Sequence, residues 1–251
     1  MACWIWDPPP TSFFVPMMLE QNCLIVQAGD RLVLFDSGMG TKKLFGDDSG
    51  QLMANIRAAG FDPAAITDIV LTHAHCDHCW GIMADDGTPN FPNADIHISQ
   101  ADFDFWTDEG KLAAGGFVAT FVEGARKNLL PRRDRVFFFA DGKEVLPGIQ
   151  AVSTPGHTIG HTSFVITSGD RSFLNVGDVV HHYALLFKNP QWEFAFDSDP
   201  AQAAKTRVKL YEMAVSEKLP MIGYHFPFPG IGNIRRDGGA FRYVPAHYHH
   251  G

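Results

Sequence analysis

Apolar and polar positions along the chain fall into short runs that predict strands interleaved with helices. Cys23 to Ala28 and Leu32 to Phe35 are two apolar runs joined by Gly29-Asp30, the pattern of a β-hairpin. Asp36-Ser37-Gly38-Met39-Gly40 then closes the second run in a loop whose glycines accept unusual backbone angles. From Gln51 to Ala59 the spacing turns helical, with Leu52, Ile56 and Ala59 on one side and Gly60 as the stop. Ile69-Val70-Leu71 reads as a short buried strand. Helical spacing returns over Ala101 to Thr107 and Gly116 to Lys127, and strands are predicted at Ile149 to Ser153, Ser163 to Thr167 and Ser172 to Val176. The most regular helix is Pro200 to Ser216, with Pro at its start and Ala203, Val208, Tyr211 and Val215 on a recurrent face. Pro220 bounds it, and Met221 to Tyr224 is the next strand. Ahead of all these, Pro8-Pro9-Pro10 bars a helix and predicts a stretch lying across the surface.

Strands and helices that alternate loosely, with hairpins among them, fit an α/β protein built as an αββα sandwich with mixed sheets. They fit a doubly wound parallel sheet less well. There is no repeat at a solenoid period and no low-complexity linker, so residues 1–251 read as a single domain. With 45% hydrophobic and 19% charged residues, the chain can bury a sizeable core and is not generally disordered.

The formal charge is −8, and basic residues cluster only at Arg132-Arg133-Asp134-Arg135, which carries its own acid and reads as a solvated loop. A phosphate-tracking surface is therefore excluded, and nucleic acid with it. No apolar run is long enough to span a bilayer, so no membrane partner is expected. The first ten residues have neither a basic segment nor a continuous apolar one, which predicts a cytoplasmic protein. Four cysteines, Cys3, Cys23, Cys76 and Cys79, do not make a disulfide framework in a chain of this length.

The chemistry concentrates in Thr72-His73-Ala74-His75-Cys76-Asp77-His78, directly after a buried strand. Residues two apart in extended backbone point the same way, so His73 and His75 can grip one ion. Asp77 and His78 fall in the turn beyond and can face a second. Imidazole nitrogen with carboxylate oxygen suits divalent zinc first, with Mn, Fe or Co as alternatives. Further ligand types stand at the ends of other predicted strands: His157 in Thr154-Pro155-Gly156-His157, Asp178 after Gly177, and His225 after Tyr224. Taken singly, each is as compatible with a structural role as with ligation; their shared position at strand ends argues for one site.

With these motifs the chain resembles the metallo-β-lactamase superfamily over nearly its whole length. The resemblance implies the αββα sandwich with two mixed β-sheets and a centre of two divalent metal ions. In that centre His73, His75 and His157 would hold one ion, and Asp77, His78 and His225 the other. Asp178 would bridge the ions together with a hydroxide that acts as nucleophile, and Asp77 is available to help a poor leaving group depart. Asp36, in Phe35-Asp36-Ser37-Gly38, matches an early Asp-x-Gly motif and is expected to orient a ligand imidazole.

Segments outside the ligands are similar to methyl parathion hydrolase and its organophosphate-hydrolase relatives. They include Leu44-Phe45-Gly46, Asp104-Phe105-Trp106, Leu146-Pro147-Gly148-Ile149 and the tail His225-Phe226-Pro227-Phe228-Pro229-Gly230. This branch implies hydrolysis of an aryl ester or phosphotriester in an aromatic pocket at Phe45, Trp106 and Phe117, and it is compatible with a homodimer. A lactonase acting on acyl-homoserine lactones is the alternative, because the ligand set is the same. An iron-dependent oxidoreductase of the same fold is the weaker one, since those enzymes place a Glu within the first motif. Four features fall outside this scheme. Cys76 and Cys79 read as small buried packing residues, and His161 as a loop or supporting residue; one of His181 and His182 is placed to line the pocket or the surface, and His249-His250 reads as tail.

Overall fold

The computed structural model describes residues 18–246; Cys3, Pro8-Pro9-Pro10 and His249-His250 lie outside them. The expected hairpin forms as β1 (Leu24–Ala28) and β2 (Arg31–Phe35), paired antiparallel around Gly29. β2 then runs parallel to β3 (Asp68–Val70), β3 to β4 (Asp95–Ser99) and β4 to β5 (Val136–Phe139), which completes a five-stranded mixed sheet. The second sheet has seven strands: β6 (Glu144–Leu146), β7 (Ile149–Ser153), β8 (Thr162–Ser168), β9 (Arg171–Asn175), β10 (Met221–Ile222), β11 (Ile231–Asp237) and β12 (Ala240–Pro245). Only the β9–β10 pair in it is parallel.

The layering follows from the period-2 geometry of strands. Along β2, Val33 and Phe35 face the second sheet and pack with Val70, Ile149, Ala151 and Phe164. The intervening Leu32 and Leu34 face outward into a second cluster with Ile69, Ile96 and Ile98. That outer face is covered by α1 (Leu52–Ala58), α3 (Gln100–Thr107) and α4 (Gly116–Leu129), which supply Ile56, Phe103, Trp106, Val122 and Leu129. On the far side of the second sheet, Leu174 and Met221 pack against α5 (Leu185–Lys188) and α6 (Pro200–Ser216) through Phe187, Leu210 and Tyr211. Helix, sheet, sheet, helix is thus the way each strand buries both of its faces. Phe35 and Phe164, ring centroids 5.4 Å apart, join the sheets at the centre. Each such ring stabilises the sandwich by about 2–3 kcal/mol.

Several local expectations shift. The buried face of α6 is centred on Ala203, Arg207, Leu210, Tyr211 and Ala214, with Val208 and Val215 at its edge, because a fully buried arginine occupies the stripe. The strand expected at Met221 to Tyr224 stops at Ile222, where Gly223 begins a turn. The Arg132 to Arg135 patch is a 3₁₀ turn with fixed side chains: Arg132 donates to the Ala94 carbonyl (3.1 Å) and Arg135 pairs with Asp95 (2.8 Å). Among the described residues, no helix is long and apolar enough to cross a membrane.

Candidate metal centre

β3, β7, β9 and β10 all end at the same edge of the sandwich, and each is followed by a residue of the expected ligand set. The edge is stitched together by the backbone. Leu71 N–H donates to His97 O, and Thr162 N–H donates across the two sheets to Thr72 O (both 2.9 Å). Asp36 has a left-handed backbone (φ 58°) that turns its carboxylate under the histidine loop. It accepts from the Thr72 N–H (2.8 Å) and hydroxyl, and its Oδ2 lies 3.0 Å from His78 Nδ1. Asp77 and His78 do not sit in an open turn: Cys76–Cys79 winds into a single helical turn (α2), with His75 extended just before it. Cys76 and Cys79 are fully buried in the outer core, and burial pushes both thiols up, so neither is a thiolate ligand.

Seven side chains from these four strand ends converge. The ligand atoms of His73, His75 and His157 lie within 4.8 Å of one another, and so do those of Asp77, His78 and His225. Between the groups stands Asp178, whose Oδ2 is 3.1 Å from His225 Nε2, 3.4 Å from those of His78 and His157, and 3.9 Å from that of His73. The outer nitrogens are tied down. His157 Nδ1 meets Asp197 Oδ1 (2.9 Å), and His225 Nδ1 donates to the Glu20 carbonyl (2.8 Å). With Nδ1–H so engaged, the Nε2 lone pairs face inward: His157 Nε2 confronts His73 Nε2 at 3.2 Å, and both confront a carboxylate. His78 Nε2 and Asp178 Oδ1 are buried with no hydrogen-bond partner among the described residues. Lone pair against lone pair in a buried site is an arrangement that a cation relieves. The donor set therefore fits divalent metal.

The electrostatics agree. Burial, then the neighbouring imidazoles, holds His73, His75 and His157 well below the usual histidine range, which leaves them neutral and able to ligate. For His78 and His225 burial also acts downward, but carboxylates outweigh it and raise both, Asp178 with Asp36 and Asp77 at His78, and Asp178 with Asp77 at His225. Asp178 is in turn held well below the carboxylate range: burial opposes this, and His225 and His78 override it.

Sequence reasoning missed part of the support. Asp102, in the first turn of α3, accepts from Ala74 N–H (2.7 Å) and Gly160 N–H (3.0 Å), so one carboxylate clamps the loops that carry His73, His75 and His157. Burial pushes it up to about 6, against those two N–H groups. Its sequence signal was weak: an acid beside Phe103 on the buried stripe of a helix. Asp102→Asn turns an NH₂ toward one of two donors and is expected to cost about 1–3 kcal/mol in denaturant unfolding. Zinc affinity, followed by chelator competition, should weaken about 10–100-fold. His161, expected as a supporting residue, accepts the Asp178 N–H on Nε2 (3.0 Å) and meets Thr154 Oγ1 through Nδ1 (2.8 Å). Burial pulls it down to about 3, so it stays neutral. Gly177 (φ 53°) makes this possible, since a Cβ there would stand 2.7 Å from the His161 ring.

Five of the seven, His75, Asp77, His157, Asp178 and His225, open onto a cavity whose other walls are Leu19, Phe45, Phe121, Phe194, Phe196 and His181. Of the aromatics expected there, Phe45 lines it. Trp106 is buried behind His75 (ring centroids 4.9 Å), outside the lining. Phe117 is 66% exposed and touches the wall only from outside, through Phe121 and Phe196. Chain spacing could not separate these three, because α4 rotates Phe121 rather than Phe117 inward. Of the His181-His182 pair, His181 is the one that lines the cavity.

The sequence signature of the metallo-beta-lactamase superfamily matches residues 18–225, a span that ends on the last ligand candidate. The chain belongs to this superfamily. Among solved superfamily structures, the hydrolase AbOPH is 31% identical with a TM-score of 0.85, over 92% of this chain and 80% of that one. AidC, a dizinc quorum-quenching lactonase in complex with a homoserine product, is 29% identical with a TM-score of 0.82 over the same shares. The N-acyl homoserine lactonase AttM of Rhizobium johnstonii is 28% identical over 113 residues, 44% of this chain. The match spans 40% of that relative's length. The expected kinship with methyl parathion hydrolase is thereby corrected: the relatives whose names give a substrate are acyl-homoserine lactonases.

Proposed function

We propose that this chain is a metal-dependent hydrolase that opens the ring of N-acyl homoserine lactones at a centre of two divalent ions, zinc first. The observation that carries the reading is the meeting of two His/Asp ligand groups on Asp178 at the floor of a cavity with apolar walls. The lactonase names of its relatives, the dizinc AidC among them, support the same substrate class. His73, His75 and His157 would hold one ion, Asp77, His78 and His225 the other, and Asp178 would stand between them. Bound there, the pair supplies Lewis-acid polarisation of a carbonyl and acidifies water.

The chain's own residues do the rest. Asp36, Thr72, Asp197 and the Glu20 carbonyl hold the ligand imidazoles in orientation from behind. Leu19, Phe45, Phe121, Phe194 and Phe196 offer an apolar bed for an acyl chain and keep bulk water from the floor. Asp77 is placed by a hydrogen bond from the Tyr224 hydroxyl to its carbonyl and faces the cavity, where it can return a proton to the departing ring oxygen.

The aromatic walls would also stack an aryl leaving group, which keeps aryl ester and phosphotriester hydrolysis as the second reading. A panel of N-acyl homoserine lactones, phenyl esters and aryl phosphotriesters separates the two. The lactones are expected to lead by about a hundredfold in kcat/KM. Activity should vanish after chelation and return with zinc. Aryl substrates turned over as fast as lactones would overturn the main reading, and full activity in metal-free protein would overturn both.

A further inference from the structure

We propose that the mouth of the metal-centre cavity docks, through an apolar rim, on the surface of a zwitterionic lipid bilayer, and that its amphiphilic substrate enters from that surface. The choice of an amphiphile rests on the lactonase reading; the rim does not. Among the described residues, the five most exposed large apolar side chains are Phe228, Phe117, Met18, Ile159 and Trp192, at 55–77% exposure. All five stand beside this one mouth. Met18 precedes Leu19 of the wall, and Trp192 stands two residues before Phe194. Ile159 and Phe228 follow the ligand candidates His157 and His225, in the loops that leave β7 and β10 at the ligand-bearing edge. Phe117 meets Phe196 (ring centroids 6.4 Å) and Phe196 meets Phe194 (5.6 Å), so aromatic contact runs unbroken from the wall to the surface. Exposed apolar side chains are ordinary when scattered; gathered around one opening they mark a contact surface.

The cavity decides which contact. A protein seated on the rim, a second copy included, would close the opening through which substrate must pass. A lipid surface leaves it open to a molecule already dissolved in the lipid. An N-acyl homoserine lactone has a polar ring and an apolar chain, so it collects at such a surface with its ring outward. The ring then faces the polar floor of the cavity, and the chain trails along the apolar wall toward the rim. The charge pattern selects the lipid. No basic residue adjoins any of the five, Glu193 follows Trp192, and the chain carries −8 overall. Apolar burial therefore holds the rim, with no attraction to an anionic headgroup. Aromatic side chains suit headgroup depth, and docking of this kind needs no spanning helix.

The test measures flotation of zinc-loaded protein with phosphatidylcholine vesicles. Wild type should float, and Phe228→Ser and Trp192→Ser should each weaken binding by about tenfold. Both substitutions remove exposed side chains, so their melting temperatures should match wild type. Phe61→Ser, on the loop that enters β3 at the opposite edge, should bind like wild type. Turnover of water-soluble N-butanoyl homoserine lactone should be unchanged in Phe228→Ser, while turnover of the vesicle-bound N-dodecanoyl lactone should fall about tenfold. Absence of wild-type flotation, an equal loss in Phe61→Ser, or binding confined to vesicles containing phosphatidylglycerol would overturn the proposal. So would a dimer in sedimentation that Phe228→Ser breaks, because a second copy would then cover the rim. A wild type inert toward every lactone overturns the parent reading, whereas an active wild type that stays off the vesicles overturns this inference alone.

Discussion

Asp178→Asn is expected to remove nearly all activity and at least one of the proposed pair of ions. Its Oδ2 lies within 3.4 Å of the Nε2 atoms of His78, His157, His181 and His225, and its Oδ1 has no hydrogen-bond partner among the described residues. Asparagine keeps the volume and the backbone, including the N–H held by His161. It replaces a charged oxygen with a neutral amide at the point where two cations would otherwise repel each other. The expected fall is at least about a thousandfold in kcat/KM, or ~4 kcal/mol of transition-state stabilisation. Elemental analysis should show the metal lost in parallel. The rise in melting temperature on adding zinc, which reports binding to the folded state, should shrink with it. A variant that keeps full metal and activity within about tenfold of wild type would refute the bridging position of Asp178.

The ligand cluster was legible because its information is local. His73, His75, Asp77 and His78 lie within six residues, and alternation in extended chain already turns His73 and His75 the same way. His157, Asp178 and His225 were legible only as residues after strands, since their meeting is a property of sheet order that no short window contains. Asp102 and Asp197 left still less trace. Each is a single acid whose partners, Ala74, Gly160 and His157, are at least 28 residues away, and burial rather than a motif gives it its role. The sandwich itself was readable from the hairpin, the strands of the second sheet and α6. β4 and β5 escaped notice, although Ile96 and Ile98 of β4 alternate into the helix-covered cluster, because that run is short and its intervening positions, Asp95, His97 and Ser99, are polar. The β11–β12 hairpin was hidden by its polar turn end, where Arg235, Arg236 and Asp237 lead into Gly238-Gly239.

Arg207→Leu is expected to be the most destabilising single substitution outside the ligand set. The side chain is fully buried on α6, donating from Nε to the Val179 carbonyl (2.8 Å) and from one terminal nitrogen to the carbonyls of Pro190 (3.0 Å) and Trp192 (2.7 Å). The other terminal nitrogen faces Asp197 Oδ2 at 3.6 Å. One guanidinium therefore pins both ends of the segment that runs from Asp178 through His181, Phe194 and Phe196 to Asp197. Leucine would strand three carbonyls and a buried carboxylate, a loss of about 3–5 kcal/mol, or roughly 10 °C in melting temperature for a chain of this size. Lysine keeps the charge but not the fork of donors, so Arg207→Lys should fall between. The effect should reach the centre through His157, whose Nδ1 leans on Asp197 Oδ1. Burial already pushes Asp197 up to about 6, and the Arg207 charge acts against that rise. Without the arginine the carboxyl titrates higher, so as pH falls it is protonated sooner. The acid limb of the activity profile should then lie at the lowest pH in wild type, higher in Arg207→Lys, and highest in any Arg207→Leu protein that folds. Unfolding metal-free protein in denaturant separates the stability term from metal affinity. A loss below about 1 kcal/mol there would show that the segment is held by its aromatic packing instead of by Arg207.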